Sequence, residues 1–123
     1  MGYMGYYDEP EGYYTVTKRL EISAAHKLML DYESPCKHLH GHNWIIYVTC
    51  RNHELNSNGM IVDFKEIKDL VSKALDHKYI NEVIGCNPTA ENIAKWIYDK
   101  IPHCVKVSVQ ESEGNVAVYE RRG

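Results

Sequence analysis

Four residues with metal-ligating side chains fall within CKHLHGH: Cys36, His38, His40 and His42, each two positions from the next. Thiolates and neutral imidazoles are the usual ligands of Zn²⁺. Three imidazoles around one ion leave a position open for water or substrate, which is the pattern of a catalytic site. A fourth ligand such as Cys36 would close the shell instead. Side chains on a strand repeat every two residues, so His40 and His42 share a face if they begin a strand. His26 ends an earlier alternating stretch, and a hairpin would bring it alongside. Spacing alone does not choose between His26 and His38.

The elements that must position these groups can be read from periodicity. YTVTKRLEISAAH reads as a strand with Val16, Leu20, Ile22, Ala24 and His26 on one face. LHGHNWIIYVTCR reads as a second, with Trp44, Ile46 and Val48 on one side and Ile45 and Tyr47 on the other. Two apolar faces imply cover on both, by helices on one and by another subunit on the other.

Asp63 caps a predicted helix with Glu66 three residues on, and Phe64, Ile67, Leu70, Val71, Ala74 and Leu75 form its apolar stripe. Thr89 caps a second helix that buries Ile93, Ala94, Ile97 and Ile101 and stops at Pro102. VKVSVQE, a turn in ESEGNV, and VAVYE close the chain as a hairpin. The order β-β-α-α-β-β makes the class α+β in a single domain.

The chain has 123 residues and a formal net charge of −3, which gives no reason to expect nucleic acid as its main partner. No apolar run approaches a membrane span. The first 14 residues, rich in Gly and Tyr, lack the features of a secretory signal. Residues 1–12 read as a flexible N-terminal arm before a domain at 13–123. Cys36, Cys50, Cys86 and Cys104 form no C-x-x-C pair, so reduced thiols and a cytoplasmic location are expected.

Several local chemistries keep two readings. Asp76 and His77 follow the first helix, where a histidine favourably meets the last carbonyls. Glu111 shares a face with Val105, Val107 and Val109, so it points inward and needs a partner, for which Arg121 and Arg122 are candidates across the hairpin. Thr89 and Glu91 have capping roles that need no ligand.

Taken in order, AAHKL, CKHLHGH, LDHKYIN, NPTAENIAKWIYD and VQES resemble the 6-pyruvoyltetrahydropterin synthase / 6-carboxytetrahydropterin synthase family, from about residue 15 to residue 121. The resemblance implies the tunnelling fold, or T-fold. That fold has a four-stranded antiparallel sheet with two helices on one face, joined edge to edge with other subunits into a barrel. Usually these are two stacked trimers, a hexamer, with pterin sites between subunits. It also implies Zn²⁺ on His26, His40 and His42, with His38 outside the motif.

By the same resemblance Cys36 is the general base and does not bind zinc, which holds and polarises the oxygens of the substrate side chain. Asp76 and His77 relay protons with the thiol. Glu111 anchors the pterin through two parallel N–H donors, with Thr89 and Glu91 nearby. The substrate is 7,8-dihydroneopterin triphosphate. Products divide between 6-pyruvoyltetrahydropterin and, in the bacterial-type branch, 6-carboxytetrahydropterin with acetaldehyde, which feeds queuosine synthesis. The short chain and compact C-x-x-x-H-G-H look more like the second branch. A non-catalytic Cys/His₃ zinc module is the reading from outside the family.

Overall fold

A computed structural model describes residues 12–123. The arm expected at residues 1–12 therefore lies, apart from Gly12, outside the described residues. Four long strands, β1 (Tyr14–His26), β2 (His40–Asn52), β3 (Cys104–Ser112) and β4 (Asn115–Glu120), form one antiparallel sheet in the order β1-β2-β3-β4. Helices α1 (Phe64–Leu75) and α3 (Ala90–Lys100) lie between β2 and β3 in sequence, with a one-turn α2 (Asn81–Ile84) between them. The sheet is the expected one. The short α2 was not legible: NEVI has no capping side chain and no room for a periodic stripe.

Period-two alternation decides the two faces. Leu20, Ile22 and Ala24 of β1, Trp44, Ile46 and Val48 of β2, and Val107 and Val109 of β3 are buried in one core with Ile67, Val71 and Leu75 of α1 and Ile93, Ala94 and Ile97 of α3. Burial of each large aliphatic contributes about 1.5–3 kcal/mol. On the other face Tyr47 and Val118 are exposed within the chain. Both helices start as predicted: Asp63 accepts from the Lys65 N–H and Thr89 from the Asn92 N–H. The α1 stripe is narrower than expected. Phe64 and Leu70 are exposed because α1 packs along Ile67, Val71 and Leu75, spaced four apart.

Two irregularities shape β3. At the first, between Thr49 and Cys50 of β2, Cys50 pairs with Cys104. Their thiols share a hydrogen bond in the core, and that bond together with burial pushes the Cys50 thiol far above its ordinary range. All four cysteines are free. At the second, Gln110 pairs with Val116 and Ser112 with Asn115, leaving Glu111 as the extra residue of a bulge.

The outer edge of β1 is covered near its end. His77 and Ile80 donate backbone N–H groups to the Ser23 and Ala25 carbonyls, and Ala25 donates to the Lys78 carbonyl. No described helix is long and apolar enough to cross a membrane.

Candidate metal centre and adjoining pocket

The core face of the sheet turns polar at one end. His26 pairs with His40, and His42 pairs with Ala24, so three imidazoles continue the rows that begin with Ile22 and Trp44. Their ligand atoms all lie within 4.8 Å of one another. His26 is fully buried. Trp44 packs edge-on against both His26 and His42 and donates its indole N–H to the Ala24 carbonyl, which fixes the floor of the site.

Hydrogen bonds settle the tautomers. His26 Nδ1 lies 2.8 Å from the Pro88 carbonyl and His40 Nδ1 lies 2.7 Å from the His38 carbonyl. A carbonyl only accepts, so both Nδ1 atoms carry protons and both Nε2 atoms present lone pairs. Those two Nε2 atoms are 3.1 Å apart. Two lone pairs at that distance repel unless a cation lies against them. His42 Nε2 is buried with no hydrogen-bond partner.

Burial also lowers the pKa of His26, against its hydrogen bond to the Pro88 carbonyl and the pull of Glu111, and of His42, against Glu111; the lowering favours the neutral form that binds metal. Backbone carbonyls supporting Nδ1 are the usual outer partners of metal-binding histidines. The donor set therefore fits a divalent ion that accepts three nitrogens.

The third imidazole that converges with His40 and His42 is that of His26. His38 contributes its carbonyl, not its ring, and Cys36 is not among the converging ligand atoms. Cys36 sits half-buried in the Pro35–Lys37 turn, where Ser34 accepts from its N–H. The Pro88 carbonyl was missed; only the pre-helix position of Pro88 hinted that its backbone was committed elsewhere.

Glu111 approaches the imidazoles. Its carboxylate oxygens lie 3.4 Å from His26 Nε2 and 3.8 Å from His42 Nε2. Among the described residues these histidines are the ionisable groups within 4.0 Å of its carboxylate, and no ion pair joins it to Arg121 or Arg122. The bulge aims it there. Glu111 also lines a cavity of about 390 Å³ with Thr89, Glu91, Leu28 and Asn115. The three residues expected to bind substrate thus border one cavity beside the imidazole cluster.

Asp76 and His77 lie apart from that cavity. Asp76 caps α1, and its Oδ1 accepts from the Ser23 N–H at 2.9 Å. Asp76 Oδ2 is 3.6 Å from His77 Nε2. The His77 side chain is 81% exposed, and the residue borders a different cavity of about 540 Å³ along Ser23–Ala25 and Gly41–Asn43. Its φ is +60°, a left-handed conformation usually left to glycine. Asp76 and His77 are thus neighbours, and among the described residues no contact joins them to Cys36.

The family described as 6-pyruvoyl tetrahydropterin synthase matches residues 15–122. The 6-carboxy-5,6,7,8-tetrahydropterin synthase of Bacillus subtilis (strain 168) is 31% identical, over 86% of this chain and 84% of that protein. The Synechocystis enzyme of the same name is 34% identical, over 85% of this chain and 91% of its own length. The structure of Caenorhabditis elegans 6-pyruvoyl tetrahydropterin synthase superposes with a TM-score of 0.71 at 24% identity, covering 90% of this chain and 97% of that one. That likeness shows the fold, and the first two matches carry the lineage. The segments that place three imidazoles at one end of the sheet lie within the matched span, and the chain belongs to the 6-pyruvoyl tetrahydropterin synthase family.

Proposed function

We propose that the protein is a zinc-dependent 6-carboxytetrahydropterin synthase, a lyase that converts 7,8-dihydroneopterin triphosphate and one water to 6-carboxytetrahydropterin, acetaldehyde and triphosphate. The observation that carries the reading is the pair of Nε2 lone pairs 3.1 Å apart beside a third, unpartnered Nε2. Family membership and the names of the relatives at 31% and 34% identity supply the substrate class and favour this product over 6-pyruvoyltetrahydropterin.

His26, His40 and His42 hold the ion, and bound zinc supplies Lewis-acid polarisation of a substrate oxygen. Cys36 acts as general base and takes a proton from a side-chain carbon. The electrons released reduce the pterin ring as the side chain is oxidised, so no external redox cofactor is required. Glu111 accepts two N–H bonds from the aminopyrimidinone edge, a charge-assisted pairing that orients the ring. Thr89 and Glu91 line the same cavity.

Asp76 and His77 complete the proton relay from a neighbouring subunit. This reading is supported by the exposure of His77 and by the uncovered apolar groups on the outer sheet face. The assembly is a homo-hexamer of two stacked trimers closed into a barrel, working in the cytoplasm and feeding queuosine synthesis.

The test is mass spectrometry of products formed from 7,8-dihydroneopterin triphosphate, beside metal analysis. 6-Carboxytetrahydropterin with acetaldehyde, at about one zinc per chain, is the expected result. 6-Pyruvoyltetrahydropterin alone would move the protein to the sister activity. No turnover, with a thiolate charge-transfer band after cobalt substitution, would make it a closed Cys/His₃ module.

A further inference from the structure

The segment that follows His26 is held in an unusual way. Lys27 donates its N–H to Asn81 Oδ1 at 3.0 Å, and Asn81 Nδ2 donates to the Lys27 carbonyl at 2.8 Å. Two residues on, Met29 donates its N–H to Asn87 Oδ1 at 2.8 Å, and Asn87 Nδ2 donates to the Met29 carbonyl at 3.0 Å. A carboxamide offers the same donor and acceptor as a peptide group. Two asparagine side chains thus replace a neighbouring strand where the sheet has none.

Leu28 points its N–H the other way, to the Cys36 carbonyl, at 2.7 Å. The Cys36 turn therefore hangs from the segment that the asparagines hold. Asn87 is anchored in turn: its carbonyl accepts from Asn92 Nδ2 and from the Thr89 N–H, both at 2.8 Å, in the first turn of α3. Its neighbour Pro88 supplies the carbonyl that orients His26. One dipeptide thus reaches the imidazoles through its backbone and the thiol's turn through its side chain.

We propose that Asn87, assisted by Asn81, is a positioning residue that sets the place of Cys36 relative to the three imidazoles. The proposal rests on the reading of Cys36 as the base. Loss of the Asn87 carboxamide frees Met29 and lets the Cys36 turn drift, while the imidazole cluster stays put because the Pro88 carbonyl is backbone. A shift of about 1 Å at a reacting group can cost on the order of 10²-fold in rate.

The experiment is a double-mutant cycle on the zinc-loaded enzyme: wild type, Asn87→Ala, Cys36→Ala and the double variant, with Asn87→Asp and Asn81→Ala in parallel. Asn87→Ala is expected to lower kcat about 10–100-fold, with KM and zinc content near wild type. Amide exchange at Leu28 and Met29 should accelerate in the metal-free protein as well. Asn87→Asp keeps the acceptor for Met29 and should recover part of the loss.

The double variant should be no slower than Cys36→Ala, because Asn87 acts through the thiol. Losses that multiply in the double variant, or unchanged exchange at Leu28 and Met29, would overturn the proposal. Full activity in Cys36→Ala would overturn the base assignment instead, and the exchange data would still report on the asparagine clamp. If Asn87→Ala does not fold, Asn81→Ala carries the same cycle, with a smaller loss expected at the more distant rung.

Discussion

The imidazole end of the sheet and the Asp76–His77 turn both set chemistry-capable groups against the end of β1, yet they are finished to different degrees. At the first, a buried ring and two half-buried rings converge, two have their Nδ1 protons fixed by carbonyls, and Trp44 backs the cluster. At the second, one capped carboxylate faces one exposed ring on a left-handed backbone. A single chain assembles the whole imidazole cluster because hairpin pairing of β1 with β2 brings His26, His40 and His42 together. The Asp76–His77 pair, by contrast, makes no contact with Cys36 among the described residues, so the proposed relay lacks its thiol within one chain. On the proposed reading, the difference separates a centre that one chain assembles from a relay that needs a second subunit.

The largest expected effect comes from breaking the finished end. His40→Ala or His42→Ala removes a nitrogen from a three-nitrogen site and should abolish both zinc binding and turnover. The loss in metal affinity should exceed the roughly 10–100-fold that follows removal of a mere supporting hydrogen bond. Metal analysis after dialysis reads this directly, and wild-type zinc in either variant would contradict the ligand set. His38→Ala is the matching control, because the carbonyl it provides to His40 survives the substitution.

Cys36→Ala separates the thiol from the ligands. Its rate should fall by about 10²–10⁴, the usual cost of losing a general base, with zinc retained. Loss of zinc from this variant would favour the closed Cys/His₃ shell.

Glu111→Gln sharpens the border between the metal centre and the cavity beside it. The amide leaves one pterin N–H facing an N–H, which should weaken pterin binding by about 2–4 kcal/mol. Zinc content should stay unchanged. Calorimetry with a non-reacting pterin and metal analysis on the same sample distinguish a substrate anchor from a carboxylate that serves only His26 and His42.

The smallest effect tests the unfinished end. A non-glycine residue at positive φ costs roughly 1–2 kcal/mol, so His77→Gly should raise the unfolding free energy by up to about 1 kcal/mol after the entropy cost of glycine. Catalysis should fall at the same time. Denaturant melts beside turnover check this, and a variant that is both less stable and fully active would remove His77 from the mechanism.

Much of the finished end was legible in the sequence. His-x-His at period two is enough to put His40 and His42 on one face. Spacing left His26 and His38 both open as the third ring, and only the family resemblance favoured His26. Thr89 and Asp63 announced both major helices. Glu111 was placed on the valine face by alternation, but its approach to the imidazoles depends on a bulge, and no local residue type signals one there. The conformation of His77 was hidden because the usual signature of a left-handed helix terminus is glycine or asparagine. Phe64 and Leu70 fit the helical period and yet are exposed, since periodicity gives a stripe but not the width of the surface that receives it.

The Cys50–Cys104 pair gives the protein an internal clock. Both thiols are buried, whereas Cys36 is half-buried and Cys86 is exposed. A thiol-counting reagent applied to the native chain should therefore register Cys36 and Cys86 quickly. The third and fourth thiols should react together, and only when β2 parts from β3. The arrival rate of that second pair measures the opening of the central strands without any added label.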